Sequence, residues 1–435
     1  MSDWVTTCNE RPEWLSRDDP ESETAHWCLI LVWSAAEPER IGETAFLDGR
    51  GGEYILGRGG PTATDRGERL LFVRQRPGSL VPRPPLAGDG LSRRQCVVRA
   101  TRDGLTVENV GRAPLLVSGK EERSARLGAG ELVTIRDHLV LYCTKQAPLR
   151  RLQYFPVNRA REFGTADEFG MVGEHRASWE LREQLAFAAA SDRHVLLLGE
   201  SGVGKELAAN ALHHLSRRSG RPIVARNAAT FPPALIDAEL FGNAANYPNV
   251  GMPARPGIVG LADGTTLFLD EIAELPTELQ AHLLRVIDSA GEYQRLGDAQ
   301  ARRSDLRLIA ATNRDPADLR LDILGRLTLQ VQLPGLNDRI PDIPLLVRHL
   351  LMRAGASSPE LRDRYFVATA QGTEPRVDPD LIEALMRHHY SYNVRELERL
   401  LWKALADSPK QFVALTRSVR EELGTEVVRA PSVAE

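Results

Sequence analysis

"HVLLLGESGVGKE", residues 194–206, joins an apolar run, a glycine-rich turn and the start of a helical run. A GxxxxGK turn between strand and helix directs successive backbone N–H groups, and the positive end of the helix, at phosphate. Gly199, Glu200, Ser201, Gly202, Val203, Gly204, Lys205 and Glu206 are therefore candidate ATP-binding residues, with Lys205 reaching the β- and γ-phosphates. The generic pattern ends in Ser or Thr, which holds Mg2+. Glu206 stands there instead, so the metal must be held mainly by other groups.

Downstream, "TTLFLDEI" (265–272) is an apolar strand ending in two carboxylates. After a phosphate loop, this order places Asp270 beside Mg2+ and Glu271 where it polarises an attacking water. Taken alone, an acidic pair here also suits a helix cap. "LRLIAATNRD" (306–315) is a third apolar strand, ending in Thr312 and Asn313. Asn313 is a candidate γ-phosphate sensor, although asparagine after a strand is also an ordinary turn residue. Continuous apolar runs alternate with helical patterns from about 169 to 340, which predicts an α/β domain with a buried parallel sheet. From 341 to 425 the pattern is helical only, a small all-α lid, and 426–435 is a tail.

Upstream the grammar differs. Between 27 and 145, short apolar runs such as "WCLILVWS", "EYILGRG", "QCVVRA" and "GLTVENV" are split by Gly, Pro and Asp. That spacing predicts an all-β sandwich. "VPRPPLAGDG" (81–90) cannot hold a central strand and reads as a loop. Residues 1–26 are an acidic, turn-rich leader, and 146–168 mix charge, Pro and Gly as a linker does.

The bulk numbers fit a multidomain soluble chain: 435 residues, 42% hydrophobic, 26% charged, net charge −4. That charge gives no overall electrostatic footprint for nucleic acid. Cys8, Cys28, Cys96 and Cys143 are scattered without metal-ligand spacing, which suits a reducing compartment. The N-terminus lacks a signal-peptide pattern and "WCLILVW" (27–33) is too short to span a bilayer, so the cytoplasm is the expected location.

The order "GESGVGKE", "RNAATFPPALIDAELFG", "RPGIVGLADGTTLFLDEIAELPTELQAHLLRVI", "LRLIAATNRD" and "NVRELE" resembles the AAA+ ATPase domain of sigma-54-dependent transcription activators, from about 169 to 408. In that family Glu after the loop lysine is ordinary. The resemblance implies that Asn227 restrains the catalytic glutamate until nucleotide is sensed. It implies trans-acting arginines at Arg320 and Arg326, a lid sensor at Arg395, and a homohexamer or similar ring.

"LGRGG" (56–60) and "LSRRQ" (91–95) resemble the phosphate grip of a forkhead-associated (FHA) domain, which reads phosphothreonine. The matching positions are Arg58 and Ser92; the family's His is Gln95 here, and its later Asn-Gly-Thr is absent. Both a phosphothreonine reader and a purely structural or intersubunit FHA fold remain open. In the activators, the segment between "ELFG" and "RPG" carries Gly-Ala-Phe-Thr-Gly-Ala, whose Phe and Thr touch sigma-54. Here those positions are Asn246, Tyr247, Pro248, Asn249, Val250 and Gly251, a stiffer loop with Tyr247 as the aromatic at its tip. The chain after 410 has room for one helix and a tail rather than a two-helix DNA reader. The implied partners are thus a phosphothreonine protein and the sigma-54 polymerase. A remodelling or signalling ATPase with another protein target, or a non-hydrolysing scaffold, are the alternatives.

Overall fold

The computed structural model describes residues 24–49, 51–60, 67–288, 291–369 and 372–426. Nearly all of the leader and of the tail therefore lie outside the described residues. Residues 26–146 form a two-sheet β-sandwich. Its strands are β1 (His26–Ser34), β2 (Thr44–Leu47), β3 (Glu53–Leu56), β4 (Glu68–Arg69), β5 (Val73–Arg76), β6 (Ser79–Pro82) and β7 (Cys96–Thr101). They continue with β8 (Gly104–Asn109), β9 (Leu115–Val117), β10 (Lys120–Glu122), β11 (Ser124–Leu127), β12 (Leu132–Ile135) and β13 (Leu139–Gln146). One sheet has the order β10-β9-β12-β13-β1-β2-β5-β6 and the other β11-β8-β7-β3-β4. The proline-rich stretch read as a loop begins two residues late: Val81 and Pro82 end β6, an edge strand, where a missing N–H is tolerated.

Side chains of a strand alternate between faces. In β1, Trp27, Leu29 and Leu31 point into the sandwich core. Cys28, Ile30 and Val32 point outward, yet they too are buried, in a second core shared with the lid. This is why β1 reads as an unbroken apolar run. The outer face of the sheet packs its Phe46, Leu132, Val140 and Tyr142 in the same cluster as Leu345, Leu381 and Leu385 of the lid. Polar bonds pin the seam: Trp33 Nε1 donates to the Val377 carbonyl at 2.8 Å, and the Thr134 hydroxyl donates to the Glu383 carboxylate.

The connecting segment 146–168 is packed rather than free. Phe155 is buried edge-on to Trp179 (6.3 Å), and the Glu183 carboxylate accepts the successive N–H groups of Gln153, Tyr154 and Phe155.

The α/β domain follows as α1 (Arg176–Ala190), β14 (Val195–Leu198), α2 (Lys205–His214), β15 (Val224–Asn227), α3 (Ile236–Phe241), α4 (Gly257–Leu261), β16 (Thr266–Asp270) and α5 (Thr277–Ile287). A hairpin, β17 (Glu292–Gln294) and β18 (Ala301–Arg303), precedes β19 (Arg307–Thr312), α6 (Leu321–Arg326) and β20 (Leu329–Gln332). The sheet is parallel in the order β15-β16-β19-β14-β20. Its central strands β16, β19 and β14 are largely apolar and buried, as strands covered on both faces must be.

The lid comprises α7 (Ile343–Ser357), α8 (Pro359–Tyr365), β21 (Phe366–Thr369), β22 (Gly372–Pro375), α9 (Pro379–Arg387), α10 (Asn393–Asp407) and α11 (Arg417–Glu426). It is therefore not wholly helical as the sequence pattern predicts. The β-branched residues of "FVAT" and Gly372 at φ +142° build a two-stranded hairpin inside it. Among the described residues, one helix, α11, forms after residue 410.

Candidate active site

The carboxyl ends of β14, β16 and β19 converge, the edge at which α/β sheets take ligands. β14 runs into the glycine turn. Gly204 caps α2 at φ +103°, and Gly202 sits at φ +80° where an added Cβ would meet the Tyr392 carbonyl at 2.2 Å. The turn therefore requires glycine at both positions. Above it lies a cavity of about 370 Å³ bounded by the turn, the strand ends and the lid.

Of the residues singled out from the sequence, Ser201, Gly202, Val203, Gly204, Lys205, Glu206, Asp270, Glu271, Asn313 and Arg395 line this one cavity. Gly199 and Glu200 form the back of the turn. Lys205 Nζ donates to their carbonyls at 2.9 and 3.1 Å. Burial lowers the Lys205 pKa, opposed by the facing Asp270 and Glu271 carboxylates. Glu271 holds φ +53° and ψ +43°, a left-handed conformation that is costly for a residue bearing a Cβ. The Arg395 guanidinium donates to Ser201 Oγ at 3.1 Å, tying lid to turn.

Asn227 is placed beside Asp270 by strand register, but its Oδ1 accepts the Ala229 N–H at 2.8 Å. Arg320 and Arg326 lie away from the cavity, paired with Asp322 (2.7 Å) and Asp288 (3.0 Å) and both part-exposed. Such a placement leaves them to a neighbouring subunit or to none.

Several residues that shape the cavity escaped the sequence reading. Asn393, buried at φ +50°, donates to Glu200 Oε2 (2.9 Å) and the Ser201 carbonyl (3.1 Å) and accepts the Leu336 N–H. It lies in the quoted "NVRELE", where asparagine's tolerance of left-handed backbone was the available signal. Leu346, His349, Leu350 and Arg353, spaced three and four apart on α7, form the opposite wall. The buried Asp167–Arg182 pair (2.8 Å) fixes the segment carrying Gly170, Met171 and Val172, which closes the cavity from below.

On the sandwich, the loops bearing Arg58 and Ser92 touch. Arg58 N donates to the Ser92 carbonyl at 3.2 Å, and a Cβ on Gly57 would meet the Arg93 carbonyl at 2.2 Å. Gln95, fully buried, bonds Ser92 N, Asn109 Oδ1 and the Ala113 carbonyl, so it ties the Ser92 loop to the turn at 109–113. Arg58 is part-exposed, with the Asp89 carboxylate at 4.0 Å.

In the loop 246–251, Asn246 takes φ +62° and its Oδ1 accepts the Gly251 N–H at 2.8 Å. Asn243, buried beneath, donates to the carbonyls of Tyr247 (3.3 Å) and Pro253 (3.1 Å). Tyr247 is not the tip that the sequence suggests. Its ring lies against Gly297, where an added Cβ would be 2.4 Å away, and Val250, 95% exposed, projects instead.

The parallel sheet, glycine turn, paired carboxylates and lid define a AAA+ nucleotide-binding module. Residues 171–330 match the Sigma-54 interaction domain, so the α/β part of the chain is a module of the sigma-54-activator kind. The nitric oxide reductase transcription regulator NorR1 of Cupriavidus necator is 36% identical over 296 residues, 66% of this chain and 55% of that protein. The DNA-binding transcriptional regulator NtrC of Rhizobium meliloti is 36% identical, covering 62% of this chain and 54% of its own length. The formate hydrogenlyase transcriptional activator of Salmonella typhimurium is 38% identical over 247 residues, 34% of that protein. Crystal structures of NtrX from Brucella abortus with ADP and with ATP each share 29% identity and a TM-score of 0.50, over 61% of this chain. The ADP complex is covered over 58% of its chain. The chain thus spans between about a third and just over half the length of these curated relatives. Among the described residues no helix is long and apolar enough to cross a membrane.

Proposed function

We propose that the protein is an ATP hydrolase that regulates transcription in the cytoplasm, acting as a ring under a phosphothreonine-reading sandwich. The observation that carries this reading is the gathering of Lys205, Asp270, Glu271, Asn313 and Arg395, from four separate segments, around one cavity. The donor chemistry suits Mg2+: a carboxylate, Asp270, beside the place where Lys205 and the turn N–H groups would hold phosphate oxygens. Asp270 would hold the ion, which when bound supplies charge neutralisation at those oxygens.

In the reaction, Glu271 orients a water and takes its proton as the water oxygen bonds to the γ-phosphorus. The bond from that phosphorus to the bridging oxygen breaks, and ADP leaves with the electron pair. Lys205 and Asn313 hold the γ-phosphoryl oxygens. Arg320 or Arg326 of an adjacent subunit offsets charge developing on them, so turnover requires assembly. Asn227, next to Asp270 in the sheet, would restrain Glu271. Arg395 carries the state of the site to the lid. Arg58 and Ser92 would grip a phosphothreonine by charge-assisted hydrogen bonds.

The test is turnover of ATP by the whole chain. Activity that Asp270→Asn abolishes, with ADP binding retained, supports the reading. No activity at any protein concentration would leave a nucleotide-dependent scaffold.

A second reading concerns the target. The loop 246–251 presents Val250 at its tip, with Tyr247 part-exposed and laid against Gly297, where the activators carry Phe and Thr, which favours a protein partner other than sigma-54. Retention of sigma-54 by the chain trapped with ADP and a metal fluoride would exclude that alternative. Failure to retain it, alongside retention by an ordinary activator, would sink direct contact with sigma-54.

A further inference from the structure

A second cavity, of about 600 Å³, lies in the seam between sandwich and lid. The sandwich contributes Trp33 and Ile41; the lid contributes Val347, Val377, Ile382 and Ala414. Its size falls in the range of about 300–1,000 Å³ typical of small-molecule sites, and a junction of two domains is a usual place for one.

Of the charged groups in its wall, Asp137 and Lys410 are solvent-exposed, and the others already have partners. Arg348 grips the Glu374 carboxylate with both Nε (2.6 Å) and Nη2, and Arg376 donates to the Gln411 amide oxygen. Asp378 caps α9 by accepting the Asp380 N–H at 3.1 Å. A ligand bringing its own charge into the body of the cavity would bury that charge unpaired, at high cost. An uncharged apolar body loses nothing and gains burial.

The seam cavity shares a wall with the nucleotide cavity. That wall is α7. Leu346, His349, Leu350 and Arg353 face the nucleotide side, while Pro344, Val347 and Arg348 face the seam. Both sets follow the three- and four-residue spacing of opposite stripes of one helix. A ligand that shifts α7 from one side therefore acts on the other, and linkage makes the effect reciprocal.

We propose that the seam cavity is an effector site for an uncharged, apolar small molecule whose binding is coupled through α7 to nucleotide affinity. Binding to the seam stands independently of the proposed ATPase activity, whereas the coupling rests on the nucleotide site.

The experiment uses the full chain and the neutral fluorophore N-phenyl-1-naphthylamine. Saturable, blue-shifted emission at one probe per chain is expected. Ala414→Trp and Val367→Trp fill the cavity from two walls, and each is expected to cut the bound signal at least fivefold. Unchanged circular dichroism and ADP affinity in the absence of probe show that the variants fold. The calorimetric ADP affinity of the wild type should change at least threefold on saturation with probe, and that of Ala414→Trp should not. Absence of saturable emission, or full emission from both folded variants, overturns the site. Saturable emission with unchanged ADP affinity overturns the effector role.

Discussion

Arg182 ties the floor of the nucleotide cavity to the core, and its removal tests that role directly. Its guanidinium is buried, with Nε on Asp167 Oδ2 at 2.8 Å and Nη1 and Nη2 on the Gly173 and Met171 carbonyls, both at 2.9 Å. It stacks 4.7 Å from the Trp179 ring centroid. Asp167 Oδ1 in turn accepts the N–H groups of Phe169 (2.9 Å) and Met171 (3.0 Å). Arg182→Ala leaves a buried carboxylate without its cation and the Gly173 carbonyl without its guanidinium donor, for which a loss of about 3–5 kcal/mol is expected. For a folding unit of this size, at about 2–4 °C per kcal/mol, the melting temperature should fall by roughly 6–20 °C. Because Gly170, Met171 and Val172 line the cavity, ADP affinity should weaken as well, measured by calorimetry below the new transition. The double variant Asp167→Leu/Arg182→Met removes both charges and should regain a large part of the lost stability. A drop of less than 2 °C in Arg182→Ala, with ADP affinity intact, would refute the reasoning.

Arg326→Ala is expected to lose turnover while keeping wild-type ADP affinity, and wild-type activity per chain should rise with protein concentration; concentration-independent activity would argue against a trans arginine. Arg58→Ala and Ser92→Ala should each weaken binding of a phosphothreonine peptide about ten- to a hundredfold, the value of one charge-assisted hydrogen bond. Equal binding of the unphosphorylated peptide would rule out the grip. Glu174 offers a pH test: burial raises its carboxyl above the ordinary 4.5, with the Arg76 guanidinium at 3.2 Å partly offsetting the rise. Between the ordinary and the raised value the folded chain holds a proton that the unfolded chain has lost, so this group's contribution to stability falls as pH rises through that window. The stability of the wild type relative to Glu174→Gln should therefore decline from pH 4.5 upward, followed by denaturant titration; a rising difference would show that the ion pair, not burial, dominates.

How much of this was legible beforehand differs between elements for physical reasons. The run 194–206 specifies strand, turn and helix locally, because an apolar run, glycines able to take positive φ and a helical run have few other uses in that order. "TTLFLDEI" likewise fixes a buried strand whose carboxylates emerge at its end. The short strands β2, β6, β10 and β11 were missed; β6, β10 and β11 lie at sheet edges, and β2 is a four-residue strand between β1 and β5. Such strands carry weak patterns, and pairing with a neighbour, rather than local preference, makes them.

Local periodicity states that a face must be covered but not by what. The unbroken apolar run of β1 required burial on both sides, and only the fold revealed the lid as the cover for Cys28, Ile30 and Val32. The same holds for side chains whose partners lie far along the chain. Asn393 meets Glu200, Trp33 meets Val377, and Tyr247 folds onto Gly297 so that Val250 takes the tip. The sequence by itself determined a glycine-turn nucleotide module behind a β-sandwich, since those features are written in neighbouring residues. The tertiary structure alone decided that sandwich and lid share a core, because that contact depends on surfaces brought together across more than two hundred residues.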